Sequence, residues 1–105
     1  MQITAKVKED TMNRISLTKI RTKVDLLNHI TNKPNSPYTW KNNKTITNTG
    51  NYHLSGAYGG WELDQICRSG GTRDVLNTGH IPKRELYNLI CAYMEGIIRT
   101  KSNEI

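Results

Sequence analysis

The segment 51–63 constrains the fold more than any other part of the chain, because it combines alternating side chains with paired glycines. Its sequence is NYHLSGAYGGWEL, in which Tyr52, Leu54 and Tyr58 share one parity. Alternation with a period of two is typical of a β-strand, and glycines permit a chain reversal that other residues adopt only at a cost. The segment therefore predicts two antiparallel strands joined by a tight turn at Gly59 and Gly60.

Two stretches have the apolar spacing of amphipathic helices. In the first, apolar residues recur every three or four positions up to Ile30, and Ser16 is the expected N-cap. The sequence Asn-Lys-Pro at 32–34 ends this helix, because the residue before a proline is pushed out of the α region. The second helix begins at Pro82, which is tolerated at the first helical position, and carries a wide apolar face over 86–98.

Shorter segments complete the predicted fold. After a loop, residues 45–47 form a short edge strand; the second strand of the hairpin covers 61–68, and 72–76 adds a third strand. The order is helix, short strand, three-stranded antiparallel meander, helix. We therefore predict one α+β domain over 1–105, with both helices on one face of the sheet. Residues 1–12 are expected to form a flexible arm or an edge strand, and 100–105 a flexible tail.

Because the chain contains no Phe, the tryptophans and tyrosines are expected to supply the bulky apolar area of the core. Gly96 interrupts the second helix at a cost of about 1 kcal/mol relative to alanine, which is affordable where the backbone packs closely.

The composition favours an acidic partner. The chain of 105 residues has a formal net charge of +6, and the excess of Lys and Arg lies mainly in the N-terminal third. The first residues are polar and charged, and no apolar run approaches the roughly 18 residues that cross a bilayer. We therefore expect a soluble intracellular protein without a membrane partner.

The start of the second helix is the strongest candidate for a contact site. His80 precedes it, and Lys83 and Arg84 stand in its first turn, where the helix dipole favours acidic residues. Cations at this place destabilise the helix unless an anion binds. The two readings that remain are phosphate or carboxylate binding by these three residues and an ordinary solvated helix start.

Other aromatic and basic residues extend this candidate surface. A direct nucleic-acid binder would use Lys19, Lys23 and Arg73 together with the helix start, and we expect Tyr58 and Arg73 to lie beside it. Aromatic side chains on strands can also stack on bases. Tyr52 and Trp61 are better explained as core residues, whereas the role of Tyr58 stays open.

Enzymatic chemistry has weaker support in the sequence. Glu62 and Asp64 form a close carboxylate pair, and a solvated strand face explains them better than a metal-dependent nuclease does. A zinc site from Cys67, His80 and Cys91 lacks a fourth ligand and any CxxC pair. We predict a protein that is not an enzyme and that has no catalytic residues, metal or cofactor.

A family resemblance adds context over about residues 12–98. The residues that carry it are Leu26-Leu27-Asn28, Pro37-Tyr38-Thr39, NYHL at 51–54, AYGGWEL at 57–63, Gly70-Gly71, Gly79-His80, KRELY at 83–87 and Gly96-Ile97. In these segments the chain resembles a family of small phage and prophage proteins of unassigned function. The resemblance implies a non-enzymatic inhibitor of host defence, of the anti-CRISPR type, in the cytoplasm of a bacterial host cell.

The partner implied by this resemblance is a host defence protein or a ribonucleoprotein such as a CRISPR effector. The alternative is a module that binds RNA or DNA directly without an inhibitor role, and a small nuclease is the least supported reading. The order of helix, three strands and helix is similar by analogy to the double-stranded RNA-binding domain, which would put Lys83 and Arg84 where such domains grip phosphate. A homodimer formed through the 45–47 edge is a further option.

Overall fold

The computed structural model describes residues 15–103, so the prediction for 1–12 lies outside the described residues. The first helix, α1, covers Leu17–Ile30. Ser16 Oγ accepts a hydrogen bond from the Lys19 amide at 3.1 Å, which confirms Ser16 as the N-cap. Ile20, Val24 and Leu27 form its buried stripe, and the chain leaves the helix at Asn32, which has a positive φ of 56°. The helix therefore has the predicted bounds and the predicted buried face.

A two-stranded hairpin occupies the segment in which we expected a loop and one short strand. Strand β1 (Tyr38–Lys41) pairs antiparallel with β2 (Lys44–Thr47) in a sheet of its own. Asn42 and Asn43 connect them with positive φ values of 52° and 62°, the conformation that a two-residue type I′ turn requires. The strand at 45–47 is thus present, but its partner is β1 and not the meander.

A three-stranded antiparallel meander forms the second sheet, in the order β3 (Tyr52–Ala57), β4 (Gly60–Ile66) and β5 (Thr72–Asp74). The turn between β3 and β4 lies one residue earlier than predicted, because Ala57 pairs with Gly60 and the two turn residues are Tyr58 and Gly59. The second and third strands also end two residues before the predicted bounds. The predicted meander is otherwise confirmed.

The second helix, α2, covers Lys83–Asn103 and supplies Leu86, Ile90 and Met94 to the core. It continues into the stretch that we expected to be a flexible tail. In this last turn Thr100 Oγ1 donates to the Gly96 carbonyl, and Lys101 Nζ donates to the Ile30 carbonyl at the end of α1. The Lys101 bond ties the C-terminal turns of the two helices together.

Both helices pack on the same face of the meander, so the α+β prediction is confirmed. Between them and the sheet lie Tyr52 and Leu63, both buried, while Trp61 packs against this core from its edge. The predicted core roles of Tyr52 and Trp61 therefore hold. Trp40 is an exception to the expectation for aromatic residues, because it is 70% exposed on the separate hairpin.

One buried amide joins α1 to the edge of the meander. Asn28 is fully buried; its Nδ2 donates to the Tyr52 carbonyl at 2.9 Å, and its Oδ1 accepts from the Tyr52 amide at 2.8 Å. Strand β3 is an edge strand, so its outward backbone groups need partners from elsewhere. The Asn28 side chain satisfies one such pair and fixes α1 against the sheet.

Candidate functional site

The turn between β3 and β4 presents an aromatic ring to solvent. Tyr58 and Gly59 both have positive φ, 53° and 74°, as a type I′ turn requires. The Tyr58 side chain is 96% exposed, and its ring meets the His80 imidazole edge to face with centroids 5.9 Å apart. The turn is therefore in contact with the segment that precedes α2.

Backbone pairing holds that segment against β4. The Trp61 amide donates to the Ile81 carbonyl at 2.8 Å, and the Ile81 amide donates to the Trp61 carbonyl at 2.9 Å. The approach is close enough that a Cβ on Gly60 would lie 2.9 Å from the carbonyl carbon of His80. Gly60 is thus required by a neighbouring backbone and not by the turn, and His80 has a defined position beside Tyr58.

A cluster of carboxyl groups lies on the opposite side of His80. The Nδ1 atom of His80 is 3.6 Å from Glu62 Oε2. Glu62, Asp64 and Asp74 share the sheet face that carries no helix. Asp64 is only 6% exposed. The predicted solvated face is therefore wrong, because the chain between β5 and α2 returns to β4: the Gly79 amide donates to Asp74 Oδ2 at 2.7 Å, and His80 reaches Glu62.

The electrostatics of this cluster favour a retained proton. A hydrogen bond to the Asp64 carboxylate, then burial and the nearby charges of Asp64 and Asp74, raise the pKa of Glu62 from 4.5 to about 7, while His80 opposes the rise. Asp64 Oδ1, Asp74 Oδ1 and His80 Nε2 are buried and have no hydrogen-bond partner among the residues that the structure describes. Glu62 can therefore exchange a proton near neutral pH.

The same cluster gives no support to a metal-dependent reaction. Within residues 15–103, no group of three or more His, Cys, Asp or Glu side chains is arranged to hold a metal ion. Cys67 and Cys91 are both free thiols, one following β4 and the other on α2. The prediction that the protein is not an enzyme remains a prediction.

The predicted cations at the start of α2 point into solvent. Lys83 and Arg84 are exposed in its first turn, and neither forms an ion pair with a described residue. They follow His80 by three and four residues, across the short stretch that pairs with β4. His80, Lys83 and Arg84 thus lie close together along the chain at the start of α2, and their role as a contact site stays a prediction.

Two lysines of α1 join this end through a tyrosine of α2. Lys19 Nζ lies 5.2 Å from the centroid of the Tyr87 ring, within range of a cation–π interaction. Lys19, Lys23 and Tyr87 line a groove of about 280 Å³ between the helices. Tyr87 follows Lys83 by four residues, so the two side chains are neighbours on α2. Through Tyr87, Lys19 of α1 is therefore close to the first turn of α2.

We expected Tyr58 and Arg73 to lie together beside the start of α2, and the structure separates these two residues. Arg73 Nη2 and Nε donate to Gln65 Oε1 at 2.7 and 3.2 Å. Strand β5 pairs only with the last residues of β4, whereas Tyr58 adjoins the first. The meander therefore separates Arg73 from Tyr58 by most of the length of β4.

Sequence reasoning missed Tyr87 and the role of Asp74. Tyr87 could have been found from the sequence, because it follows Lys83 by four residues on one predicted helix. For Asp74, nothing in the sequence shows that the loop after β5 returns to β4.

Comparison of the chain with protein-family models, with curated proteins and with solved structures finds no match. Neither of the two described helices is long and apolar enough to cross a membrane.

Proposed function

We propose that the protein binds nucleic acid through the aromatic-basic end, which we define as Tyr58, His80, Lys83, Arg84, Tyr87, Lys19 and Lys23. The observation that carries this proposal is a pair of contacts. Tyr58 meets His80 at 5.9 Å, which joins the turn to the segment before α2, and Lys19 meets Tyr87 at 5.2 Å, which joins α1 to the first turns of α2.

The distribution of charge supports an anionic ligand. Glu62, Asp64 and Asp74 are gathered on the helix-free face, where they are largely withdrawn from solvent. The remaining acidic residues of the described chain are Asp25, Glu85 and Glu95. The exposed surface is therefore more basic than the net charge suggests, and phosphates binding there would release counterions.

The topology favours a duplex as the ligand. The meander with both helices on one face follows the helix, three strands, helix order of the double-stranded RNA-binding domain, which grips the duplex by shape and phosphate contacts. This is an argument by analogy of fold. The hairpin of β1 and β2 is an addition to that order, inserted between α1 and β3.

Inhibition of a host defence system, which the phage resemblance implies, is a second part of this proposal. An inhibitor of a ribonucleoprotein would hold its target through the same surface and the guide RNA. Direct nucleic-acid binding requires that the protein binds isolated RNA or DNA, whereas the inhibitor role does not.

Fluorescence anisotropy with a labelled RNA duplex of about 16 base pairs tests direct binding. We expect affinity to fall steeply with salt, and the double substitution Lys83→Ala and Arg84→Ala to weaken binding and to lower the salt slope by about one for each phosphate that the variant no longer neutralises. Arg68→Ala is the matched control, because Arg68 is exposed and follows the far end of β4.

The absence of a complex at micromolar protein and low salt would contradict direct binding. An equal loss of affinity in the Arg68→Ala control would contradict its assignment to the aromatic-basic end. In the first case, co-purification of the protein with a CRISPR ribonucleoprotein, compared between wild type and the double variant, tests the inhibitor role alone.

A further inference from the structure

The hairpin of β1 and β2 carries aromatic side chains that the core does not use. Every residue of both strands is exposed. The base of the hairpin is nevertheless ordered: Asn48 Nδ2 donates to the Ser36 carbonyl and to Thr39 Oγ1, each at 2.9 Å, and the Asn48 amide donates to the Pro37 carbonyl at 2.9 Å. Hydrogen bonds therefore hold the base of the hairpin, while the side chains of both strands are exposed.

One face of the hairpin is aromatic. Tyr38 pairs with Thr47 and Trp40 with Thr45, so these four side chains share a face. The Trp40 side chain is 70% exposed and the Tyr38 side chain 55% exposed. Positions two apart on a strand are separated by about 6.8 Å, twice the roughly 3.4 Å repeat of bases along a strand. One flat base fits between the two rings, or one base can stack on each.

The tip of the hairpin carries positive charge without compensation. Lys41 and Lys44 are directly opposite each other in the register. Like charges in this position are destabilising, and the sequence 38–47, YTWKNNKTIT, contains no acidic residue. An anion between the two ammonium groups would relieve their repulsion. Lys41 and Lys44 belong to the face opposite Trp40, at the tip of the hairpin. A single strand that binds both groups therefore passes around the tip, with its phosphates at the lysines and its bases on the aromatic face.

We propose that the β1–β2 hairpin is a binding site for single-stranded nucleic acid, in which unpaired bases stack on Trp40 and Tyr38 while Lys41 and Lys44 hold phosphate. Stacking platforms of this kind accept any base, because every base has a π face. The site is separate from the aromatic-basic end and does not depend on duplex binding there. A protein segment as the occupant is the competing outcome of the test.

The test measures binding of a fluorescein-labelled single-stranded oligonucleotide of about ten nucleotides, a length within the site sizes of single-strand binders. Variants of the full chain are Trp40→Ala, Trp40→Phe and Ile46→Ala. Ile46 pairs with Thr39 on the opposite face of the same hairpin and is also exposed, so it is the matched apolar control. Both substituted positions lie outside the core, and circular dichroism checks that each variant folds.

We expect Trp40→Ala to weaken single-strand binding about tenfold or more, Trp40→Phe to retain most of the affinity, and Ile46→Ala to change little. Lys83→Ala with Arg84→Ala should leave single-strand binding by the hairpin in place, which separates this proposal from the proposed function.

Three outcomes would overturn the proposal. They are unchanged binding in Trp40→Ala, equal losses in Trp40→Ala and Ile46→Ala, and no single-strand binding by the wild type at low salt. In the last case, a dimer detected by light scattering in the wild type and lost in Trp40→Ala would assign the face to a second copy of the chain.

Discussion

His80 Nδ1 lies 3.6 Å from Glu62 Oε2, so a residue of the aromatic-basic end also touches the carboxyl cluster of the sheet. On its other side, His80 meets the ring of Tyr58. The neighbouring Asp64, and to a smaller extent Asp74, raise the pKa of Glu62. The protonation of Glu62 therefore bears directly on the residue that joins the turn to the start of α2.

We expect Glu62 to make the folded state less stable as pH rises. Its pKa is 4.5 ordinarily and about 7 in the folded protein, so the unfolded chain releases the proton first. A raised pKa gives a contribution that is fully present below 4.5 and is lost as pH rises through about 7. Urea denaturation at about pH 5 and about pH 8 measures this loss, and Glu62→Gln should remove most of it.

His53 serves as an internal reference for that experiment. Burial lowers the pKa of His53 below 6.5, so its contribution has the opposite sign and is lost as pH falls. Both proteins contain His53, so only the difference between their pH profiles is assigned to Glu62. An identical pH dependence of the two proteins would show that Glu62 does not hold a proton in the folded state.

Asn28→Ala is expected to destabilise the protein by about 2 kcal/mol or more, because it leaves the amide and the carbonyl of Tyr52 without their partner. Asn88→Ala is the matched control at an exposed position of α2, and it should change the free energy of unfolding by less than about 1 kcal/mol. Urea denaturation of both variants gives the comparison. Equal effects would mean that the Asn28 amide adds nothing beyond helix propensity.

The elements could be predicted from local patterns, because each depends on its own residues. The apolar spacing of α1 and α2, the Ser16 cap and the alternation around Tyr52 all act within a few positions along the chain. The missed hairpin also had a local signal, since Asn42 and Asn43 are residues that tolerate positive φ. This signal is weaker than a sustained alternation of apolar and polar residues, which the segment 35–51 lacks.

The arrangement of the site depends on long-range pairing that no local pattern contains. Ile81 joins Trp61 across nineteen intervening residues, and this bridge places His80 beside Glu62 and Tyr58. The same register of the meander moves Arg73 to the far end of β4. Lys83 and Arg84 could be found from the sequence because a helix start is local, whereas their neighbours could not.

Gly60→Ala should disrupt the junction between β4 and the start of α2. The new methyl group would lie 2.9 Å from backbone atoms of His80 and Ile81, so this segment must move, at a cost of about 1–3 kcal/mol. Gly59→Ala is the control: its φ of 74° also disfavours a side chain, but the space around it is open. Hydrogen exchange of the Ile81 amide, which donates to Trp61, distinguishes the two variants.

In this comparison we expect Ile81 to lose protection in Gly60→Ala and to keep it in Gly59→Ala, although both variants are less stable than wild type. Protection of Ile81 in both would mean that the segment accommodates a methyl group and that the glycine is required for another reason.

Gly96→Ala is expected to stabilise the protein by about 0.5–1 kcal/mol, because the close packing that would offset the cost of this glycine is not found among the described residues. No described atom lies within 4 Å of the position that its Cβ would take, and Gly96 has helical neighbours on both sides. Alanine therefore gains helix propensity without a clash. Gly96→Ser should give a smaller gain, since serine is a weaker helix former. Thermal and urea denaturation of both variants measure the effect, and a loss of stability in Gly96→Ala would mean that another part of the chain or a second copy packs against this helix face.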